Sequence, residues 1–144
     1  MTNRVFATPE SAEAAFYEAF SKIDPDLMTA VWADSDTALC IHPGGGLLRG
    51  KSAIMRSWRE IFAGSEPPRI EHRFIEGFAT DFLVVRLVEE HIRPRDKPRE
   101  AANRVLATNV YSRDSGSWRM VEHHASLPFV DRSGYSAGNK PRLH

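Results

Sequence analysis

Cys40-Ile41-His42-Pro43-Gly44-Gly45-Gly46-Leu47-Leu48-Arg49-Gly50-Lys51 joins a short apolar run to the start of a helix, and the fold turns on how that junction is read. The run 37–41 predicts a strand, and Pro43 biases His42 toward extended geometry. Three glycines then permit a tight turn before a helix that opens near Gly50. An imidazole pinned at a strand end titrates at ~6.5 when unperturbed, which makes His42 a candidate general acid or base. The glycines lack the lysine and the spacing of a phosphate loop and are read only as a turn.

Upstream, Thr8-Pro9-Glu10-Ser11 has the marks of a helix start, with a capping threonine, proline at the first helical position and acid in the first turn. Ala12, Phe16, Ala19, Phe20 and Ile23 recur at helical spacing, which predicts a helix to about Lys22. A second, short helix is expected from Asp26 to about Ala33, closed by the turn Asp34-Ser35-Asp36. Beyond the glycine turn, Ile54, Met55, Trp58, Ile61 and Phe62 make the apolar stripe of a third helix, from Lys51 to about Phe62. From Arg69 onward the period changes to two. Extended runs over about 70–78, 82–93, 101–113 and 117–126, with short polar spacers, predict an antiparallel meander. Helices first and antiparallel strands after is the segregated α+β pattern. Three helices against a strongly curved sheet leave a cone with an open mouth, a natural place for a ligand.

Strand parity suggests what faces that mouth. In 82–91 one face carries Leu83, Val85, Leu87, Glu89 and His91, and the other Phe82, Val84, Arg86, Val88 and Glu90. Arg86, a charge in mid-strand, marks the second face as the outer one. Val105, Ala107, Asn109 and Tyr111 share a face of the next run, and Val121, His123 and Ala125 share one of the last. Small residues beside Asn109 and His123 predict a lined cavity rather than a filled core. The expected lining is Leu87, Ala107, Val121 and Ala125 from the strands, with Phe16, Phe20, Trp32 and Trp58 from the helical region. Glu89 on an apolar face needs a partner. With His42, His91 or His123 it makes an acid/base candidate, and otherwise a salt bridge at the rim. His123 and His124 point to opposite faces and cannot readily chelate one ion, so no metal is expected. The face with Trp118, Met120 and His124 suggests a partner surface, and a homodimer through the outer face of the sheet is expected.

Composition narrows the classes. At 144 residues one domain over 1–130 is expected, with a loose tail over 131–144. Nineteen basic and nineteen acidic residues give zero net charge, which speaks against nucleic acid or an anionic membrane as partner. Cys40, the single cysteine, cannot form an intrachain disulfide and reads as a buried thiol. No basic-then-apolar leader and no apolar window of transmembrane length occur, so a cytoplasmic protein is expected.

Residues 8–127 resemble the nuclear transport factor 2-like superfamily, in its SnoaL-like and ketosteroid isomerase-like branch. The likeness rests on the helix–helix–strand opening, the His42-Pro43 loop ending in Arg49-Gly50-Lys51, and Thr108-Asn109-Val110-Tyr111. The closing Trp118-Arg119-Met120-Val121-Glu122-His123-His124-Ala125-Ser126 also resembles the last strand of the calcium/calmodulin-dependent kinase association domain. The resemblance implies a cystatin-like roll. It puts the isomerases' general-base aspartate at His42, their oxyanion-hole aspartic acid at Asn109 and their oxyanion tyrosine at Phe16, where the phenol is missing.

Two functions are therefore expected as alternatives. One is a cofactor-free isomerase-, cyclase- or hydratase-type enzyme on a small apolar carbonyl compound. In it His42 shuttles a proton, Asn109 holds the oxyanion, and Glu89 or His123 sets the tautomer. The other is a non-catalytic dimeric module for ligand binding or association.

Overall fold

The computed structural model describes residues 4–97 and 101–128; the expected tail over 131–144 lies outside the described residues. The first half holds α1 (Pro9–Lys22), α2 (Pro25–Val31), β1 (Leu39–Ile41), β2 (Leu48–Arg49) and α3 (Lys51–Ala63). Four long strands follow: β3 (Pro68–Ala79), β4 (Leu83–Pro94), β5 (Asn103–Asp114) and β6 (Ser117–Ser126). All six strands form one sheet in the order β2-β1-β6-β5-β4-β3. β3 to β6 are the antiparallel meander, and β1 runs parallel to β6 with Cys40 beside His123. The α+β architecture is the expected one. β2, two residues long, has no periodicity to betray it.

The caps are local chemistry. Thr8 and Ser11 each accept the other's backbone N–H, closing a capping box on α1, and Asp24 accepts the Leu27 N–H at the start of α2. Gly50 opens α3 at φ 84°, in the left-handed region, and a Cβ there would stand 3.4 Å from the Asp36 carbonyl oxygen. The helices then cover the sheet's inner face, burying Phe16, Met28, Ile54, Trp58 and Met120.

Two face assignments are corrected. In β4 the inner face is Val84, Arg86, Val88 and Glu90, of which Val84, Val88 and Glu90 are buried. Arg86 tolerates this position because α1 places a Glu13 carboxylate oxygen 2.7 Å from its Nε, and its guanidinium lies over the Phe74 ring. A mid-strand charge is an outer-face signal only when nothing on the inner side can pair with it. Leu87 and Glu89 consequently sit on the outer face. In β6 a bulge leaves Val121 unmatched: Val110 stands opposite Glu122 and Tyr111 opposite Met120. Trp118 and Met120 thereby turn into the core, on the same side as His123 and Ala125, and are not a partner surface. His124 alone of that expected set stays exposed.

Candidate functional site

A cavity of about 110 Å³ opens between α1, the His42–Pro43 corner, α3 and the C-terminal halves of β4 and β6. Phe20, Trp58, Ile61, Ile92 and Ala125 make its walls apolar, and three titratable groups interrupt them: His42, Glu90 and His123. The size is below the few hundred Å³ usual for drug-like ligands, so an occupant is small.

Burial shifts each of the three groups toward its uncharged form. Glu90 is 1% exposed and accepts the Tyr17 hydroxyl proton at 2.5 Å. Burial pushes its carboxyl up to about 7, against the Tyr17 hydrogen bond and with help from the Glu13 charge. Burial lowers His123 to about 3, with the charges of His42 and His124 acting in the same direction. His42 is lowered by burial as well. Its Nε2 lies 3.0 Å from Ser57 Oγ, whose own hydrogen goes to the Ile54 carbonyl at 2.7 Å. Ser57 can therefore only accept, which puts the His42 proton on Nε2 and the lone pair on Nδ1. Trp58 stands edge-on to the His42 ring with centroids 4.8 Å apart. Its indole N–H is buried with no partner among the described residues. Cys40 approaches His42 Nε2 at 3.7 Å, but burial pushes its thiol up to about 12, and it stays protonated.

Behind the pocket runs a buried polar array. Glu13 Oε1 accepts from the Tyr111 hydroxyl at 2.8 Å and from Asn109 Nδ2 at 3.2 Å, while its Oε2 meets Arg86. Asn109 Nδ2 also donates to the Tyr17 oxygen at 3.0 Å, and its Oδ1 lies 2.6 Å from His123 Nδ1. Burial raises both phenols well above their ordinary value, so they act as neutral donors. His72 stacks flat on the Tyr17 ring, centroids 4.2 Å apart.

The structure brings His42, His123, Phe20, Trp58 and Ala125 to the cavity wall. Phe16 packs directly behind, 4.8 Å from the His123 ring, and Ala107 pairs with Ala125 across the sheet. Asn109 is fully buried, and all its polar hydrogens are taken by Glu13 and Tyr17, so no N–H remains to hold a ligand oxyanion. Glu89 and Leu87 are on the far side of the sheet. There Glu89 is bound by Arg73 at 3.0 Å, by His91 at 3.0 Å and by Arg104. Those hydrogen bonds, His91's first, hold its carboxyl down to about 2. Val121 lies at the bulge, off the cavity.

Trp32 instead borders a larger hollow of about 710 Å³ beside α2. The charges in that hollow are largely spoken for: Lys51 meets Asp34 at 2.6 Å, and Asp24 caps α2. Sequence reasoning missed Glu13, Tyr17, Arg86 and Glu90. The signal for the first two was present, since both fall on α1 among Ala12, Ala15, Phe16 and Ala19, which are buried. Tyr17 stands one residue beyond the position where the resemblance finds a phenol missing, with its hydroxyl behind the cavity between Asn109 and Glu90. No group of three His, Cys, Asp or Glu side chains that could hold a metal occurs among the described residues. None of the described helices is long and apolar enough to cross a membrane.

A family model described as a SnoaL-like domain matches residues 10–130. A candidate calcium/calmodulin-dependent protein kinase type II association domain from Thiobacillus denitrificans superposes with a TM-score of 0.82 at 40% identity, over 88% of this chain and 99% of that one. A candidate dehydratase of the NTF2-like family from Streptomyces avermitilis does so with a TM-score of 0.71 at 28% identity, over 83% and 93%. The F-box protein SKIP8 of Arabidopsis thaliana is 29% identical over 105 residues, 72% of this chain. The chain spans only 42% of that relative's length.

Proposed function

The chain belongs to the SnoaL-like domain family of the nuclear transport factor 2-like superfamily, and from that premise we propose that it is a cofactor-independent enzyme of the isomerase or lyase type acting on a small, mostly apolar carbonyl compound. One observation carries the reading: a carboxyl and two imidazoles, all pushed by burial toward their uncharged forms, interrupt an otherwise apolar cavity. An acid that still holds its proton and a base that still holds its lone pair are the states that proton transfer starts from.

His42 Nδ1 takes a proton from the carbon beside the carbonyl, and Glu90 gives one to the carbonyl oxygen, so the intermediate is a neutral enol. No lysine or arginine lines the cavity and the Asn109 amide is committed, so a bare enolate would lack a counter-charge there. Glu90 supplies the proton in its place. Return of a proton to a different carbon completes an isomerisation, and departure of a β-hydroxyl as water completes a dehydration. A related protein named as a candidate dehydratase is consistent with the latter.

The test needs no knowledge of the natural substrate. In D₂O, cyclopentanone should exchange its α-hydrogens faster with the protein than without it, as followed by proton NMR. A folded His42→Ala variant should lose roughly 10²-fold or more of that rate. If cyclopentanone, butanone and cyclohexenone all exchange no faster with the protein than in buffer, the enzyme reading fails.

A separate observation favours a second reading, a dimeric association module. The outer sheet face leaves Phe78 73% and Leu83 44% exposed, beside half-buried Val85, Leu87 and Val110, and a 40% identical relative is named as an association domain. A homodimer through this face is the expected species. Sedimentation at micromolar concentration should give twice the chain mass, and Leu87→Asp should halve it without unfolding the protein. A single-chain mass for the unaltered protein sinks the dimer.

A further inference from the structure

The buried array behind the pocket has a direction. Glu13 lies against Arg86 at 2.7 Å and receives the Tyr111 hydroxyl, so toward Asn109 it offers only an acceptor. The nitrogen of the Asn109 amide must therefore be the atom that faces Glu13, which leaves Oδ1 facing His123. An amide oxygen cannot donate, so at 2.6 Å the His123 Nδ1 must carry the hydrogen. In a neutral ring the other nitrogen then bears a lone pair. His123 is 2% exposed and lines the cavity, yet its Nε2 meets no partner among the described residues.

We propose that Arg86, Glu13 and Asn109 act as a tautomer lock that presents His123 Nε2 to the pocket as a hydrogen-bond acceptor, and that the occupant is a neutral molecule offering a hydroxyl or enol O–H to it. This rests on the reading of the cavity as a small-molecule site, but it does not require catalysis. The same direction continues past Asn109. Its Nδ2 donates to Tyr17, and Tyr17 donates to Glu90 Oε2, so every bond in the run from His123 to Glu90 points the same way. The run leaves the two pocket groups with opposite roles. His123 can only accept from the occupant, while protonated Glu90, its Oε2 already accepting from Tyr17, donates from Oε1. A ligand with one donor and one acceptor oxygen, as in a hydroxyketone or the enol of a 1,3-diketone, satisfies both. An anion would meet a lone pair at His123. Asn109 touches no ligand in this scheme and is a positioning residue.

The test is nitrogen-15 NMR of the full chain labelled at histidine, at neutral pH. In the unaltered protein, His123 should show hydrogen on Nδ1 and a bare Nε2. Glu13→Gln, nearly isosteric, places an amide N–H where Asn109 now finds an acceptor. That should turn the Asn109 amide over and move the His123 proton to Nε2. Cyclopentanol added to the unaltered protein should shift the His123 Nε2 resonance and bind several-fold to about tenfold more tightly than fluorocyclopentane, which has the same shape without the donor. A proton on Nε2 in the unaltered protein overturns the lock, whether or not Glu13→Gln folds. Equal affinity for the two cyclopentanes, or binding of neither, overturns the ligand assignment. Loss of ketone exchange in the earlier assay with the tautomer and alcohol preference intact removes only the catalytic reading.

Discussion

Glu89 and Glu90 are neighbours on β4 and sit in opposite electrostatic worlds. Glu89 faces outward into a clasp of Arg73, His91 and Arg104, which hold its carboxyl down to about 2. Glu90 faces inward, meets only a phenol hydroxyl, and is pushed up to about 7 by burial. Residue type and sequence neighbourhood are the same, so the difference belongs to the face. On one side, hydrogen bonds from a histidine and two arginines make the anion the favoured form. On the other, a layer of helices excludes water and supplies a donor too weak to compensate. The outer glutamate is a structural ion-pair centre. The inner one keeps a proton near neutrality and borders a cavity.

The strongest way to press on this contrast is to remove a cation from each face. Arg86→Ala strips Glu13 of its ion partner in a site where the Glu13 side chain is 3% exposed. Taking one member from a buried pair leaves an uncompensated charge, so the folded state should lose about 3–5 kcal/mol in urea unfolding. Arg104→Ala, whose side chain is 55% exposed, leaves Glu89 with Arg73 and His91 and should move the midpoint far less. Equal losses would mean that the two faces are not as different as their partners suggest.

Much of this was legible in the chain. The capped helices, the glycine turn and the four-strand meander follow from local rules that tertiary contacts did not override, and His42 lines a cavity. The faces were not legible, for two physical reasons. Arg86 reads as outer only if one ignores that a carboxylate 73 residues earlier on α1 can pair with it. The bulge at Val121 inverts the parity of half of β6, and a one-residue insertion carries no hydrophobic signature. The first effect makes the parity point to Glu89 instead of Glu90, and the second makes it point to Val121 instead of Met120. Tyr17 shows a different limit: the helical stripe marks it as buried, but only the sheet's register brings Asn109 and Glu90 to its hydroxyl.

A smaller and sharper effect lies in the pH dependence of stability. Between 4.5 and about 7 the unfolded chain has released the Glu90 proton that the folded chain still holds. The unfolded state then binds fewer protons, and stability falls as pH rises. His123 works in the opposite sense: between about 3 and 6.5 the unfolded chain protonates its imidazole and the folded chain does not, so stability rises with pH. The two slopes oppose each other from 4.5 to 6.5. Glu90→Gln keeps an acceptor for Tyr17 but removes the proton, so the stability curve should steepen across that window by up to about 1.4 kcal/mol per pH unit. Glu89→Gln should leave this window alone. Glu89 favours the folded state above 4.5, and that contribution is lost only as pH falls toward about 2. Urea unfolding at half-unit steps from pH 3 to 8 separates the two. If Glu90→Gln leaves that window unchanged, the proton is not held by the inner carboxyl, and the contrast between the two faces collapses at the residue that borders the cavity.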